Sequence, residues 1–244
     1  MRLESRIRDC LCLNWAVPVA HLPEPPGSLR YELHAFEGRH YVLASALLFR
    51  HQEVRPESLP FLRLSFPQLN LRLYVLDSED VPSVLFRAIL VPGWVVPSAV
   101  LIGGQPARAA RFTRAGEPGS TAGRWEWQVH ARAGLHCIAS LGSPHLGGGP
   151  RIGSWRETAD YVRLRNRGYA WSRSGLKRIE TEQPAVELSP VTVELFDAEL
   201  ARVHFGAPSW PDLHSAWLCP EMRMRFDLVR ERALALPRQA PVPG

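Results

Sequence analysis

Polar side chains recur at every second position in the run Asn70-Leu71-Arg72-Leu73-Tyr74. In an extended chain that period sets Asn70, Arg72 and Tyr74 on one face, and Leu69, Leu71, Leu73 and Val75 on the other. If the polar face looks into a closed barrel, Arg72 is a buried cation that needs an anionic partner or ligand. If it looks outward, the guanidinium is solvated and uninformative. The spacing leaves both readings open.

Other familiar chemistries find little support. Cys10-Leu11-Cys12 puts two thiols on one face of an extended segment, but zinc sites want two separated ligand pairs, and Cys137 and Cys219 do not form a second. His136-Cys137 in a strand would point to opposite sides, and buried cysteine is commonly a plain small hydrophobe. No metal or cofactor is expected. Gly147-Gly148-Gly149-Pro150 lacks the lysine and hydroxyl of a phosphate loop and reads as a mobile surface loop. There is no G-x-S-x-G elbow and no H-E-x-x-H pair among the nine histidines. The chain holds a single lysine, Lys177, against 28 arginines. Arginine suits anion clamps but, staying protonated, cannot act as a nucleophilic amine.

Composition bounds the setting. At 244 residues the chain is long enough for one large β domain with a core that needs no metal or disulfide. The 22 prolines, spread along the whole chain, argue for short elements and many turns. The four scattered cysteines read as reduced thiols of a cytoplasmic protein. The N-terminus carries Arg6, Arg8 and Asp9 without a clean apolar stretch, which does not read as a signal peptide. The apolar run from Val91 to Ile102 is too short for a membrane span and contains two prolines. Net charge is +5, yet basic and acidic residues interleave instead of clustering, so neither nucleic acid nor a membrane is an expected partner.

The elements that must position Arg72 are mostly strands. Leu29 to Phe36 alternates, Glu37-Gly38 turns, and Arg39 to Arg50 returns as a hairpin partner. Further strands are expected at Leu69–Leu76, Val84–Val91, Ala107–Arg114, Trp125–His130, Leu135–Leu141, Gly168–Arg173, Leu176–Thr181, Val191–Phe196 and Met222–Leu228. Ser154 to Leu164 reads as a helix with Ser154 and Glu157 as a capping box. Short helices are also expected near Trp94–Ile102 and Asp197–His204, and the tail from Pro237 is expected to fray. Many short strands without βαβ alternation point to a mainly β protein with a few short helices and closed or stacked antiparallel sheets.

Several segments together resemble the YqjF-like family of uncharacterised bacterial proteins, domain of unknown function 2071, which is itself similar to acetoacetate decarboxylase. They are Asn14-Trp15-Ala16-Val17-Pro18, Glu32 to Gly38, Phe66 to Val75, Ser83-Val84-Leu85-Phe86 and Tyr161 to Tyr169. The resemblance spans about residues 10–230 of a single domain covering 1–244. It implies an acetoacetate decarboxylase-like antiparallel β-cone or barrel with a central cavity, and a homo-oligomer whose interface the sequence does not reveal.

The departures bear on the chemistry. Acetoacetate decarboxylases carry a G-F-P-K-K turn whose lysine forms a Schiff base with the substrate ketone. Here the corresponding turn is Gly104-Gln105-Pro106-Ala107-Arg108. The family's T-E-R-Y glutamate and tyrosine correspond to Leu164 and Asn166. The resemblance therefore implies loss of the Schiff-base step and a cavity in which Arg72 and Arg108 converge on a small organic anion. Asn70, Tyr74 and Tyr169 are the further lining candidates. Two alternatives remain: acid–base chemistry on a keto acid or lactone-like substrate, with Glu157 or His136 as base, or a cone filled by side chains such as Trp125 and Trp127.

Overall fold

The computed structural model describes residues 2–101, 106–117, 123–144, 146–147, 149–163, 165–172, 175–184, 186–206 and 213–228. Its elements run β1 (Arg2–Pro18), β2 (Arg30–Tyr31), β3 (His34–Phe36), β4 (Arg39–Pro56), β5 (Leu64–Leu76) and β6 (Pro82–Val91). Next come α1 (Val96–Leu101), β7 (Ala107–Ala109), β8 (Arg111–Ala115), β9 (Arg124–His130) and β10 (Gly134–Leu141). The chain continues with α2 (Trp155–Arg163), β11 (Arg167–Ser172), β12 (Gly175–Glu182), β13 (Ser189–Asp197), α3 (Glu199–Phe205) and β14 (Ser215–Leu228).

Strand pairing closes on itself. The order β1-β4-β5-β6-β11-β12-β14 returns to β1 through a long antiparallel ladder from Arg2↔Asp227 to Asn14↔Ser215. Closure leaves these strands without a free edge that could pair with another chain. The antiparallel expectation holds around this ring except where β11 runs parallel to β6, from Arg167↔Ser83 to Ala170↔Phe86. A second layer, β13-β10-β9-β8, hangs from β14 through Ser189↔Leu218 and Pro190↔Trp217.

The two layers divide the core. Leu69, Leu71 and Leu73 of β5 face outward from the barrel and pack with Ala44, Ala46 and Leu48 against Trp125, Trp127 and Val129 of the outer layer. Inside the barrel lie Ile7, Cys10, Leu47, Phe49, Tyr74, Trp217 and Met222, and α2 sends Ala159 and Val162 into the same cluster. Trp125 and Trp127 therefore fill the space between the layers and not the barrel.

Local rules explain most boundaries. The β3–β4 turn uses Glu37 and Gly38, both at positive φ (47° and 72°), which matches the twist of the flanking strands. The capping box of α2 is reciprocal: Glu157 N–H donates to Ser154 Oγ at 3.3 Å, and Ser154 N–H donates to Glu157 Oε2 at 2.6 Å. In the glycine-rich loop, Gly147 N–H donates to His214 O at 2.7 Å.

Several elements depart from the sequence reading: Leu29–Phe36 divides into β2, which pairs with β5, and β3; Ala107–Arg114 divides into β7 and β8; and β14 begins at Ser215. The long β1 is phase-shifted at Asp9 (φ 54°), where its register against β4 slips between Arg8 and Leu11. Ile7 faces inward before this bulge, and Cys10 and Cys12 face inward after it. A single alternating pattern is thereby broken in two. No helix among the described residues is long and apolar enough to cross a membrane.

Candidate functional site

β5 contributes the polar wall of the barrel. Its inward positions are Gln68, Asn70, Arg72 and Tyr74, with Phe49, Leu47 and Ser45 opposite them on β4. The outward leucines fix this phase, because a one-residue slip would place them inside and the arginine against the tryptophans. On the β6 side a bulge lies between Leu71 and Arg72. Arg87 of β6, skipped by that pairing, turns away, and its Nε donates to His204 O at 3.3 Å.

Arg72 is 9% exposed. Its Nε donates to Ser45 Oγ at 3.1 Å, and its Nη2 donates to Tyr74 Oη at 2.9 Å. The fully buried Tyr74 hydroxyl spends its one proton on Val162 O at 3.1 Å. Ser45 must then donate to Tyr74 Oη across their 3.1 Å contact, which orients the whole chain away from the guanidinium. Burial pushes the Tyr74 phenol up to about 12, despite the Arg72 charge beside it. Burial likewise raises the Cys10 thiol well above its ordinary value and the Cys12 thiol to about 12. All three titratable neighbours of Arg72 are thus neutral at ordinary pH. Among the described residues it meets no carboxylate.

A cavity of about 90 Å³ opens beside Arg72 inside the barrel, and every strand of the ring contributes to its lining. Asn70 and Gln68 lie on its β5 side, Phe86 and Gly168 come from β6 and β11, and Met222 and Met224 come from β14. Three more arginines reach it between the last residue of α2 and the first of β11: Arg163, Arg165 and Arg167. No acidic residue lines it among the described residues.

These three arginines differ from Arg72 in having carboxylate partners. Arg163 Nη2 donates to Asp160 Oδ1 at 3.3 Å, and Arg165 Nη2 to Glu32 Oε2 at 3.0 Å. Arg165 also lies over the Tyr161 ring at 4.2 Å and the Tyr74 ring at 5.5 Å. Arg167 Nη1 bridges Asp77 Oδ2 at 2.9 Å and Glu79 Oε2 at 2.5 Å. Burial pushes the Asp77 carboxyl up, but hydrogen bonds from Arg167, Val81, Glu79 and Tyr169 outweigh it and hold the group below its usual range. Arg163 and Arg165 each retain a buried Nε–H without an acceptor among the described residues. Two such donors and the charge of Arg72 thus belong to side chains that line the cavity.

A second polar chain lies on the same wall. Ser5 Oγ meets His51 Nδ1 at 2.8 Å, His51 Nε2 meets Gln68 Oε1 at 3.2 Å, and Gln68 Nε2 donates to Asn70 Oδ1 at 2.8 Å. Burial depresses the His51 imidazole to about 4, so it stays neutral and is used at both nitrogens. It orients the Gln68 and Asn70 amides.

Of the residues singled out from sequence, Asn70 and Arg72 line the cavity, and Tyr74 holds Arg72 from behind. Arg108 and Tyr169 are not brought to it. Arg108 is exposed on β7, which pairs with the far part of β6, and Gly104 and Gln105 of the same turn lie outside the described residues. Tyr169 follows Gly168, so alternation turns it to the opposite face, where it packs against Leu29, Val75 and Leu85 and donates to Asp77 Oδ2 at 3.0 Å. The two candidate bases are also elsewhere. His136 sits on the outer layer with Glu126 at 2.7 Å, and Glu157 caps α2. Leu164 lies outside the described residues, while Asn166 accepts from Gln183 Nε2 at 3.4 Å. Lys177 is on β12 and does not line the cavity. Among the described residues no cluster of three His, Cys, Asp or Glu could hold a metal.

Sequence reasoning missed Arg163, Arg165 and Arg167. Their signal was present as three arginines at alternate positions from the end of a helix onward, the same period that marked β5. Gln68 was likewise one step upstream on the Asn70 face.

Comparison with known proteins agrees with this architecture. A family model for DUF2071, described as an uncharacterized conserved protein, matches residues 4–221. No curated protein matches the chain. Among solved structures, an acetoacetate decarboxylase-like enzyme from Sphingomonas wittichii RW1 aligns with a TM-score of 0.54 at 14% identity, covering 92% of this chain and 89% of that one. An acetoacetate decarboxylase from Legionella pneumophila aligns with a TM-score of 0.56 at 10% identity, covering 92% and 83%. The enduracididine biosynthesis enzyme MppR, complexed with pyruvate, aligns with a TM-score of 0.53 at 13% identity, covering 93% and 87%. Likeness at such identities speaks for the fold alone.

Proposed function

Because this chain belongs to the DUF2071 family and has an acetoacetate decarboxylase-like fold, we propose that its barrel interior binds a small organic anion, with Arg72 as the counter-charge. The observation that carries this reading is the isolation of Arg72. A buried guanidinium normally has a carboxylate, since an unpaired buried charge costs several kcal/mol. Here its hydrogen-bond partners are two neutral hydroxyls, and an empty cavity adjoins it. A carboxylate placed there receives the parallel donors that a guanidinium offers.

The proposal includes no Schiff-base chemistry. The turn that resembles the decarboxylase lysine pair ends in Ala107-Arg108, and the chain's one lysine, Lys177, is not among the cavity residues. Acid–base turnover draws no support either, because no carboxylate or histidine lines the cavity among the described residues.

Isothermal titration of wild type, Arg72→Met and Arg108→Ala with acetate, pyruvate, butyrate and acetoacetate tests the reading. Binding by wild type and Arg108→Ala, lost in Arg72→Met, is the expected result. No binding of any of these acids, or equal binding by Arg72→Met, overturns it.

A further inference from the structure

Resting on the reading of the barrel as an anion site, we infer that the site selects a singly charged anion with a compact apolar tail and discriminates against dicarboxylates and phosphate. Contact with a protein carboxylate distinguishes the arginines around the cavity. Four arginines line it, but Arg163 is matched by Asp160, Arg165 by Glu32, and Arg167 by Asp77 and Glu79. Among the described residues only Arg72 lacks a carboxylate partner, and its titratable neighbours Tyr74, Cys10 and Cys12 are all neutral. One carboxylate on the ligand therefore finds an arginine that no protein carboxylate contacts. A second would enter a closed barrel with no uncompensated cation to meet it, which is the costly case of an unpaired buried charge.

The lining fixes the rest of the ligand. The rest of the lining is largely apolar, with Ile7, Leu47, Phe49, Met222, Met224 and Phe226 from β1, β4 and β14, and its other polar groups are neutral and balance no charge. Trp217 in the same lining keeps an indole N–H without an acceptor among the described residues. A neutral acceptor is accommodated there, but a neutral donor cannot balance a charge. The cavity is small, about 90 Å³, which suits a compact tail. The methionines supply adaptable packing around it.

The same pairing makes a second forecast. Glu32→Gln leaves Arg165 without its carboxylate and raises the number of lining arginines that lack one, among the described residues, from one to two. Asp160→Asn does the same through Arg163, from an aspartate on the surface of α2 whose loss disturbs packing less.

The experiment titrates isovalerate, lactate, malonate and inorganic phosphate at one ionic strength into wild type, Glu32→Gln and Asp160→Asn, with circular dichroism to confirm folding. In wild type, isovalerate is expected to bind at least about tenfold more tightly than malonate or phosphate, a ratio equivalent to 1.4 kcal/mol. Each carboxylate variant is expected to move the malonate-to-isovalerate ratio about tenfold towards malonate. If malonate or phosphate binds wild type as well as isovalerate does, and Arg72→Met abolishes it, the anion site stands and the selectivity inference falls. An unchanged ratio in both folded variants also overturns it. If none of the four binds, the anion site itself fails.

Discussion

Replacing Arg72 with methionine separates a ligand-binding arginine from a structural one. The substitution removes a buried guanidinium that is 9% exposed and keeps an unbranched apolar chain in its place. The lost hydrogen bonds, to Ser45 Oγ and Tyr74 Oη, are each worth about 1.5–3 kcal/mol as bonds to a charged donor. Against them stands the cost of desolvating an unpaired ion, several kcal/mol even after relaxation. Neither oxygen is orphaned, because Ser45 and Tyr74 keep their 3.1 Å contact and Tyr74 keeps Val162 O. The ligand-free stability should therefore change by no more than about 1 kcal/mol in either direction, which in a chain of this size moves Tm by about 2–4 °C. Binding should fall by about 2–5 kcal/mol, the usual cost of truncating one member of a buried charge pair, or about thirtyfold to several thousandfold in Kd. Arg165→Met is the contrast. It strands Glu32, itself only 19% exposed, and should cost about 2 kcal/mol or more in the ligand-free protein. Urea unfolding without ligand and calorimetric titration with isovalerate measure the two quantities. A ligand-free loss above about 3 kcal/mol in Arg72→Met, with affinity retained, would refute the reasoning and make Arg72 a structural residue.

Acid should weaken the fold through His51 before the carboxylates titrate. Its folded value of about 4 lies below the ordinary 6.5, so the unfolded chain takes up the proton first and stability is lost as pH falls through that window. The expected loss is about 2 kcal/mol between pH 7 and pH 5, absent in His51→Gln, and equilibrium unfolding at the two pH values checks it. Gly168→Ala should push its new methyl into the Phe86 ring, whose Cε2 would lie 2.5 Å away, costing about 1–3 kcal/mol and narrowing the cavity enough to weaken isovalerate binding. Borohydride reduction with acetoacetate should leave the protein mass unchanged; a reduced adduct on Lys177 would restore Schiff-base chemistry.

How far the sequence reached follows from which features are local. The Glu37-Gly38 turn, the Ser154–Glu157 capping box and the two faces of β5 were legible because each depends on residues within a few positions of one another. So was the family, whose motifs keep their order along the chain. β1 was not legible, because the bulge at Asp9 reverses which residues face inward and no continuous alternation survives.

The site was only half readable, for a physical reason. Both faces of β5 are buried, one against the outer-layer tryptophans and one in the barrel, so polarity distinguished the faces but not their destinations. That choice was made by closure of β1 on β14, a pairing between the two ends of the described chain. Closure also brought Arg163, Arg165 and Arg167 across to Arg72, left Arg108 on the surface and turned Tyr169 to the outside. The sequence by itself placed an arginine on a polar strand face; only the tertiary structure decided that this arginine, alone of the four, would meet no carboxylate among the described residues. Charge compensation depends on distances of a few ångströms between residues far apart in the chain, and no spacing along the chain encodes it.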